Sequence, residues 1–183
     1  MNKTVDINER TLEKDKKNFL TFCKVAEAFL SLMCALMIIA SIAVAIMMIM
    51  NFIMKNSTVP SSNDFSTPEG IFNGIYIIVT CIGFAIALNF GIKVFGTLKD
   101  GETPFRYEIA DKIKAAGMTL IGTGILHIIG EAVNGFLNSI GVFNGELSVG
   151  IVLDFFVLGA IIIAVAYIFN YGCKLQQESD ETI

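Results

Sequence analysis

The chain has 183 residues, of which 54% are hydrophobic and 16% charged, with a mean hydropathy of +0.68 and a formal net charge of −4. Soluble domains carry about 25% charged residues, so this composition excludes an ordinary soluble fold and points to a membrane protein. Tryptophan and any dense basic stripe are missing, which speaks against direct nucleic-acid binding.

In chain order, residues 1–24 form a charged arm in which Ile7, Leu12, Phe19, Leu20 and Cys23 sit among many charges. An interfacial helix and a solvated arm both fit that pattern. Residues 25–183 then read as one membrane domain. A bilayer-crossing helix needs about 20 mostly apolar residues, and four runs meet this, at about 25–54, 70–98, 115–140 and 148–171. The first run is too long for a signal-peptide core and follows a polar arm, so it reads as an anchor. All three prolines, Pro60, Pro68 and Pro104, fall outside these runs. The expected fold is all-α, an integral membrane four-helix bundle.

Lysine and arginine orient the spans. Of the 13 such residues, only Lys55 lies in the first or third connection, and the other twelve lie in the arm, the second connection and the tail. Both termini and the middle connection are therefore expected in the cytoplasm, in a multi-pass protein of the cell membrane. The first outer loop is rich in Ser, Thr, Asn and Pro, and its Asn56-Ser57-Thr58 sequon lies close to the membrane end. In the second connection Thr103 can cap a helix and Pro104 suits its first position. Phe105, Ile109 and Ile113 follow at intervals of four, as on one face of an amphipathic helix leading into the third span.

The third span holds the polar pattern. Thr119, Thr123, His127, Glu131, Asn134 and Asn138 follow at steps of four, four, four, three and four, which draws one stripe along a helix. A charge at the bilayer centre costs at least about 2.5 kcal/mol on insertion scales, so the stripe should face the bundle interior. Asp154, in the fourth span, falls at a depth similar to Glu131 and is a candidate to join it. Three readings compete for His127, Glu131, Asp154, Asn134 and Thr123. The first is a hydrogen-bonded network that fixes helix register, and the second a proton- or ligand-responsive site. The third, a metal site, is weak, because the chain has 1 histidine and catalytic zinc commonly takes more than one. Cys23, Cys34, Cys81 and Cys173 have no metal-type spacing and read as small hydrophobes in or near helices. No metal and no cofactor is expected. Small residues at Gly83, Ala87 and Gly91, and at Ala160 and Ala164, mark expected close helix contacts.

Two stretches carry a resemblance. DGETPFRYEIADKIKAAG (residues 100–117) and YGCKLQQESDETI (residues 171–183) are similar to the small bacterial four-span family catalogued as domain of unknown function 2975. The matching positions of the tail are Gly172, Leu175, Glu178, Asp180, Thr182 and Ile183, and the resemblance extends over residues 25–183. Members have no established enzymatic activity and are often encoded beside a small helix-turn-helix transcription regulator. The resemblance thus implies a membrane partner of such a regulator. The acidic tail, residues 175–183 with Glu178, Asp180 and Glu181, offers charge complementarity to a basic protein. Nucleophile-elbow, P-loop, dinucleotide and paired-histidine motifs are all missing, so an enzyme is not expected. The expected function is regulatory or accessory, with a small proton-linked transporter or channel subunit using Glu131 and His127 as the alternative. A homo-oligomer is left open.

Overall fold

No glycine or proline interrupts residues 2–53, and the chain there forms one continuous helix, α1 (Asn2–Ile53). It is followed by α2 (Pro68–Asp100), α3 (Tyr107–Ser139) and α4 (Gly150–Glu181). The computed structural model describes residues 2–53, 67–100, 106–143 and 150–181, and no strand occurs among them. At about 1.5 Å per residue, α1 is roughly 78 Å long, well beyond a bilayer core of about 30 Å. The arm and the first span are therefore a single rod, and residues 13–19 are exposed along it.

The helix ends follow local chemistry. Thr67 caps α2, its Oγ1 accepting from Gly70 N at 3.0 Å and its carbonyl from Ile71 N at 3.0 Å. Pro68 is thus the first helical residue and not a loop residue, where its missing N–H and fixed φ do no harm. α3 starts after an extended Arg106, which makes no side-chain cap. Thr103, Pro104 and Phe105 lie outside the described residues, as do Asn56 and the rest of the first connection up to residue 66. Ile109 and Ile113 belong to α3 itself, and Ile109 is fully buried. At the other end Gly141, at φ +75°, closes a Schellman turn. There Val142 N donates to Leu137 O at 2.9 Å and Gly141 N to Asn138 O at 3.0 Å.

The helices run alternately up and down. Glu27 pairs with Lys99 at 3.1 Å, Lys112 donates to Thr97 Oγ1 at 2.7 Å, and Tyr107 Oη donates to Gln177 Oε1 at 3.5 Å. Those contacts lie at one end of the molecule, where Lys24, Lys93, Arg106, Lys114 and Lys174 also fall by their helix register. At the opposite end Phe72 meets Phe143 with ring centroids 5.8 Å apart. α1 packs on α2, α2 on α3, and α3 on α4, with no backbone approach of α1 to α4 among the described residues. A small core of Ala87, Leu120 and Phe155 joins α2, α3 and α4, with Phe84 and Ile162 against it.

Each helix contains a stretch long and apolar enough to cross a membrane. Large apolar side chains such as Phe29, Ile39, Phe52, Phe136, Ile161 and Ile168 point outward from all sides, as the hydrocarbon of a bilayer requires. Hydroxyl groups on these helices bond backward to their own backbone, for example Ser41 Oγ to Ile38 O at 2.8 Å and Thr119 Oγ1 to Ala115 O at 2.8 Å. The described residues thus form an all-α, multi-pass integral membrane protein.

Gly83 and Gly91 do serve contacts inside the bundle. A Cβ on Gly83 would collide with Thr123, and one on Gly91 would lie 3.1 Å from Leu30 Cδ1. On α4 the expectation fails, since Ala160 and Ala164 are exposed. The close crossing of α3 and α4 is made instead by Gly117 and Gly159, where a Cβ on Gly117 would sit 2.9 Å from the Gly159 carbonyl oxygen. The obstacle there is backbone, which cannot turn aside. Gly159→Val is therefore expected to destabilise the protein by about 1–3 kcal/mol, the usual range for overpacking. Ala160→Val, facing outward, is expected to change little. Thermal unfolding of both variants in detergent micelles checks the contrast.

Candidate functional site

The polar stripe of α3 meets two hydroxyl residues of α2 that periodicity did not single out, Tyr76 and Thr80. His127 is buried, with 7% of its surface exposed. Its Nδ1 faces Tyr76 Oη in a short hydrogen bond, and its Nε2 lies 2.9 Å from Thr80 Oγ1. Thr80 also donates to the Tyr76 carbonyl at 2.9 Å. Tyr76 Oη donates to Glu131 Oε1 at 3.4 Å. The node is a chain, Thr80–His127–Tyr76–Glu131, strung across the α2–α3 contact in the half of the bundle remote from the lysines.

Packing holds it in place. The Tyr76 and His127 rings meet edge-on at 4.5 Å between centroids. Phe155 of α4 lies against the other side of the imidazole at 4.9 Å. Tyr76 has room because the facing residue is Gly130, where a Cβ would stand 2.7 Å from the tyrosine ring. Thr123 is buried one turn away, opposite Gly83, and donates to the Thr119 carbonyl at 2.9 Å.

Beyond Glu131, toward the end of the bundle remote from the lysines, the stripe continues. Glu131 Oε2 and Asn134 Oδ1 are both buried and have no hydrogen-bond partner among the described residues. Asn138, the last member, is exposed. Asp154 does not join the node: its side chain is exposed, and among the described residues no three His, Cys, Asp or Glu side chains converge as metal ligands would. Its neighbour Phe155 takes the inward position, which turns Asp154 about 100° away around the helix. The four cysteines are free thiols within the helices, with Cys23 and Cys173 buried.

The tail is not a separate segment. α4 runs on through Leu175 to Glu181, with Gln177 Nε2 donating to Glu181 Oε1 at 3.1 Å. Glu178 and Glu181 are exposed on that helix, whereas the Asp180 side chain, Thr182 and Ile183 lie outside the described residues.

Proton counting shows what the node can do. Thr80 spends its proton on the Tyr76 carbonyl, so it presents a lone pair to His127, and Nε2 must carry hydrogen. Tyr76 has one proton and two neighbours, Nδ1 and Oε1. If the imidazole is cationic, Nδ1–H donates to Tyr76, and Tyr76 donates to a Glu131 carboxylate. If the imidazole is neutral, Tyr76 donates to Nδ1, and a protonated Glu131 donates to Tyr76. Both arrangements hold the same number of protons and no net charge, and both satisfy every link. They interconvert when Glu131 and Tyr76 each pass one proton along the chain. One proton fewer leaves a link broken, because the single Tyr76 proton then faces two acceptors; one more can sit on Glu131 Oε2, which keeps every link but leaves a net positive charge in the node.

A four-helix, multi-pass membrane protein with a polar node between its second and third spans is the class that fold and site define. The chain belongs to the family described as Protein of unknown function (DUF2975), whose family model matches residues 54–183. That stretch contains α2, α3 and α4 and every residue of the node. α1, the first span, lies outside it, so the match begins further along than residue 25. No curated protein and no solved structure matches the chain.

With 1 histidine in the chain, imidazole ¹⁵N spectra report this site alone. Thr80→Val is expected to shift the Nε2 resonance and to cost about 1–3 kcal/mol of stability, the range for a buried donor left unpaired. Thr80→Ser is expected to restore both. Histidine-labelled protein in micelles, with denaturant unfolding in parallel, provides the measurements.

Proposed function

We propose that this protein is a regulatory or accessory component of the bacterial cell membrane, and that the proton state of the Tyr76–His127–Glu131 chain sets how α2 packs on α3. The observation that carries this reading is the one tyrosine hydroxyl that bonds to both His127 and Glu131 across a helix interface. A node that loses a link when it loses a proton responds to that loss by loosening the interface. Movement of α2 against α3 is transmitted along rigid helices to the Lys112–Thr97 bond at the lysine-rich end.

By the distribution of Lys and Arg, that end faces the cytoplasm, together with both termini. There the exposed Glu178 and Glu181 of α4 offer an acidic face to a small, basic helix-turn-helix regulator, with charge complementarity supplying on-rate and specificity. The protein catalyses no reaction in this reading and binds no cofactor.

The second reading, a proton-linked transporter or channel subunit, draws on the unpartnered Glu131 Oε2 and Asn134 Oδ1. They extend the node toward the opposite end as two further acceptors for a moving proton.

The test captures partners of the tagged full-length protein from bacterial membranes, at two pH values, with and without residues 175–183. The expected result is recovery of a small DNA-binding protein that depends on the tail. Recovery is expected to vary with pH in the wild type and not in Glu131→Gln. Unchanged recovery after truncation removes the tail from the proposal. Proton flux in reconstituted vesicles that disappears in Glu131→Gln would replace the regulatory reading with the transport one.

A further inference from the structure

Between α1 and α4, where no backbone contact closes the bundle, lies a slot of about 440 Å³. Leu30 of α1 forms one lip, and Leu158, Val165 and Phe169 of α4 form the other. Its floor runs along α2 from Phe84 to Leu98 and along α3 from Leu120 to Ile113. Every lining side chain is apolar, so a polar ligand would find no hydrogen bond there. Native interiors leave few voids larger than a water molecule, and a space of this size falls within the roughly 300–1,000 Å³ of ligand pockets.

The slot's proportions choose its occupant. From Phe84 to Leu98 the floor is about 21 Å long at 1.5 Å per residue. The volume, which counts only where the centre of a water fits, corresponds to a mean cross-section of about 20 Å², and a water radius added all round widens this to about 50 Å², against about 80 Å² for a helix roughly 10 Å across. A helix from a second copy or a partner is too wide. An extended hydrocarbon chain fits. At its inner end the slot reaches Phe84 and Leu158, beside the Ala87–Leu120–Phe155 core. Its other end, at Leu98 and Phe169, comes out level with the Glu27–Lys99 pair, at the lysine-rich end of the molecule, where a headgroup meets water.

We propose that this slot is a lipid site that holds one acyl chain of a membrane phospholipid, with its headgroup at the lysine-rich end. The site is separate from the polar node and does not depend on the function proposed above.

The chain contains 0 tryptophans, so one introduced tryptophan reports its own surroundings. Phe84→Trp places it deep in the slot, and Phe136→Trp, at a position 64% exposed, places it on the open outer face of α3. Both proteins are reconstituted in phosphatidylcholine vesicles with rising fractions of lipid brominated on the acyl chain. At position 84, half-quenching is expected at a brominated fraction at least threefold lower than at position 136. Adding Val165→Phe or Leu158→Phe, which fill the slot from its lip, is expected to abolish quenching at 84. Parallel fillers in the Phe136→Trp protein should leave its quenching unchanged and show that the fold survives. A tryptophan at 84 that is not quenched means that the slot is closed, or is filled by protein, and overturns the proposal. Quenching at 84 that follows the same curve as at 136 and ignores both fillers overturns it as well.

Discussion

Hydrocarbon offers no hydrogen-bond partner, so every polar group at membrane depth must find one within the protein. This constraint organises the molecule. It makes the backbone helical, turns the hydroxyls of Ser41, Thr97 and Thr119 back onto their own helices, and sends His127 and Glu131 to a neighbouring helix for their partners. His127 and Glu131 are too long and too polar to bond to their own turn, so α3 must present them to a neighbour. The neighbour is α2, and the groups that meet them are Tyr76 and Thr80. The α2–α3 contact is therefore specified by chemistry, whereas the α1–α2 contact rests on apolar packing, Cys34 against the Ala85 carbonyl and the Glu27–Lys99 pair. An ion pair of that kind, about a third exposed, contributes only about 0–1 kcal/mol.

Glycines decide how closely those contacts form. Gly130 makes room for the ring of Tyr76, and Gly83 makes room for Thr123, so each helix contributes one hollow for the other's polar residue. Gly117 and Gly159 set the approach of α3 to α4, and through it the position of Phe155 against His127. None of these glycines needs a positive φ, which among the described residues occurs only at Gly141. Their role is clearance. In a bilayer, where apolar contact between helices has no hydrophobic advantage over contact with lipid, such clearance is what lets van der Waals packing and side-chain bonds hold helices together.

The same physics explains what the sequence disclosed and what it withheld. Four spans were legible because apolar runs of the required length are rare outside membranes. The inward stripe of α3 was legible because six polar residues repeat at the helical period. The continuity of α1 was less so: the charged arm has no clear period, and only the lack of Gly or Pro before residue 54 hinted that nothing would break it. Tyr76 and Thr80 were overlooked because two hydroxyl residues in an apolar span are unremarkable alone. Their spacing of four, equal to the step between Thr123, His127 and Glu131, was the available signal. Asp154, Ala160 and Ala164 mark the limit. Depth can be counted along a helix, but its rotation is fixed by whatever packs tightest, here Phe155 and Gly159, and those two turn the other three outward.

The node and the slot share a wall. Phe155 lies against His127 at 4.9 Å on one side and against Phe84 at 5.0 Å on the other, and Phe84 lines the slot. The three rings form an unbroken stack from the hydrogen-bonded chain to the apolar space. A close-packed interior passes displacements on, because it has no free volume in which to absorb them. Whatever moves Phe84 must shift Phe155 or be resisted by it, and Phe155 in turn bears on the imidazole whose Nδ1 and Nε2 hold α2 to α3. Coupling between two sites requires an element with two discrete arrangements that both sites bias. In the proposed function, the proton state of the Tyr76–His127–Glu131 chain would supply that element at one end of the stack. At the other end, the slot open between α1 and α4 leaves Phe84 room to move on the side away from Phe155.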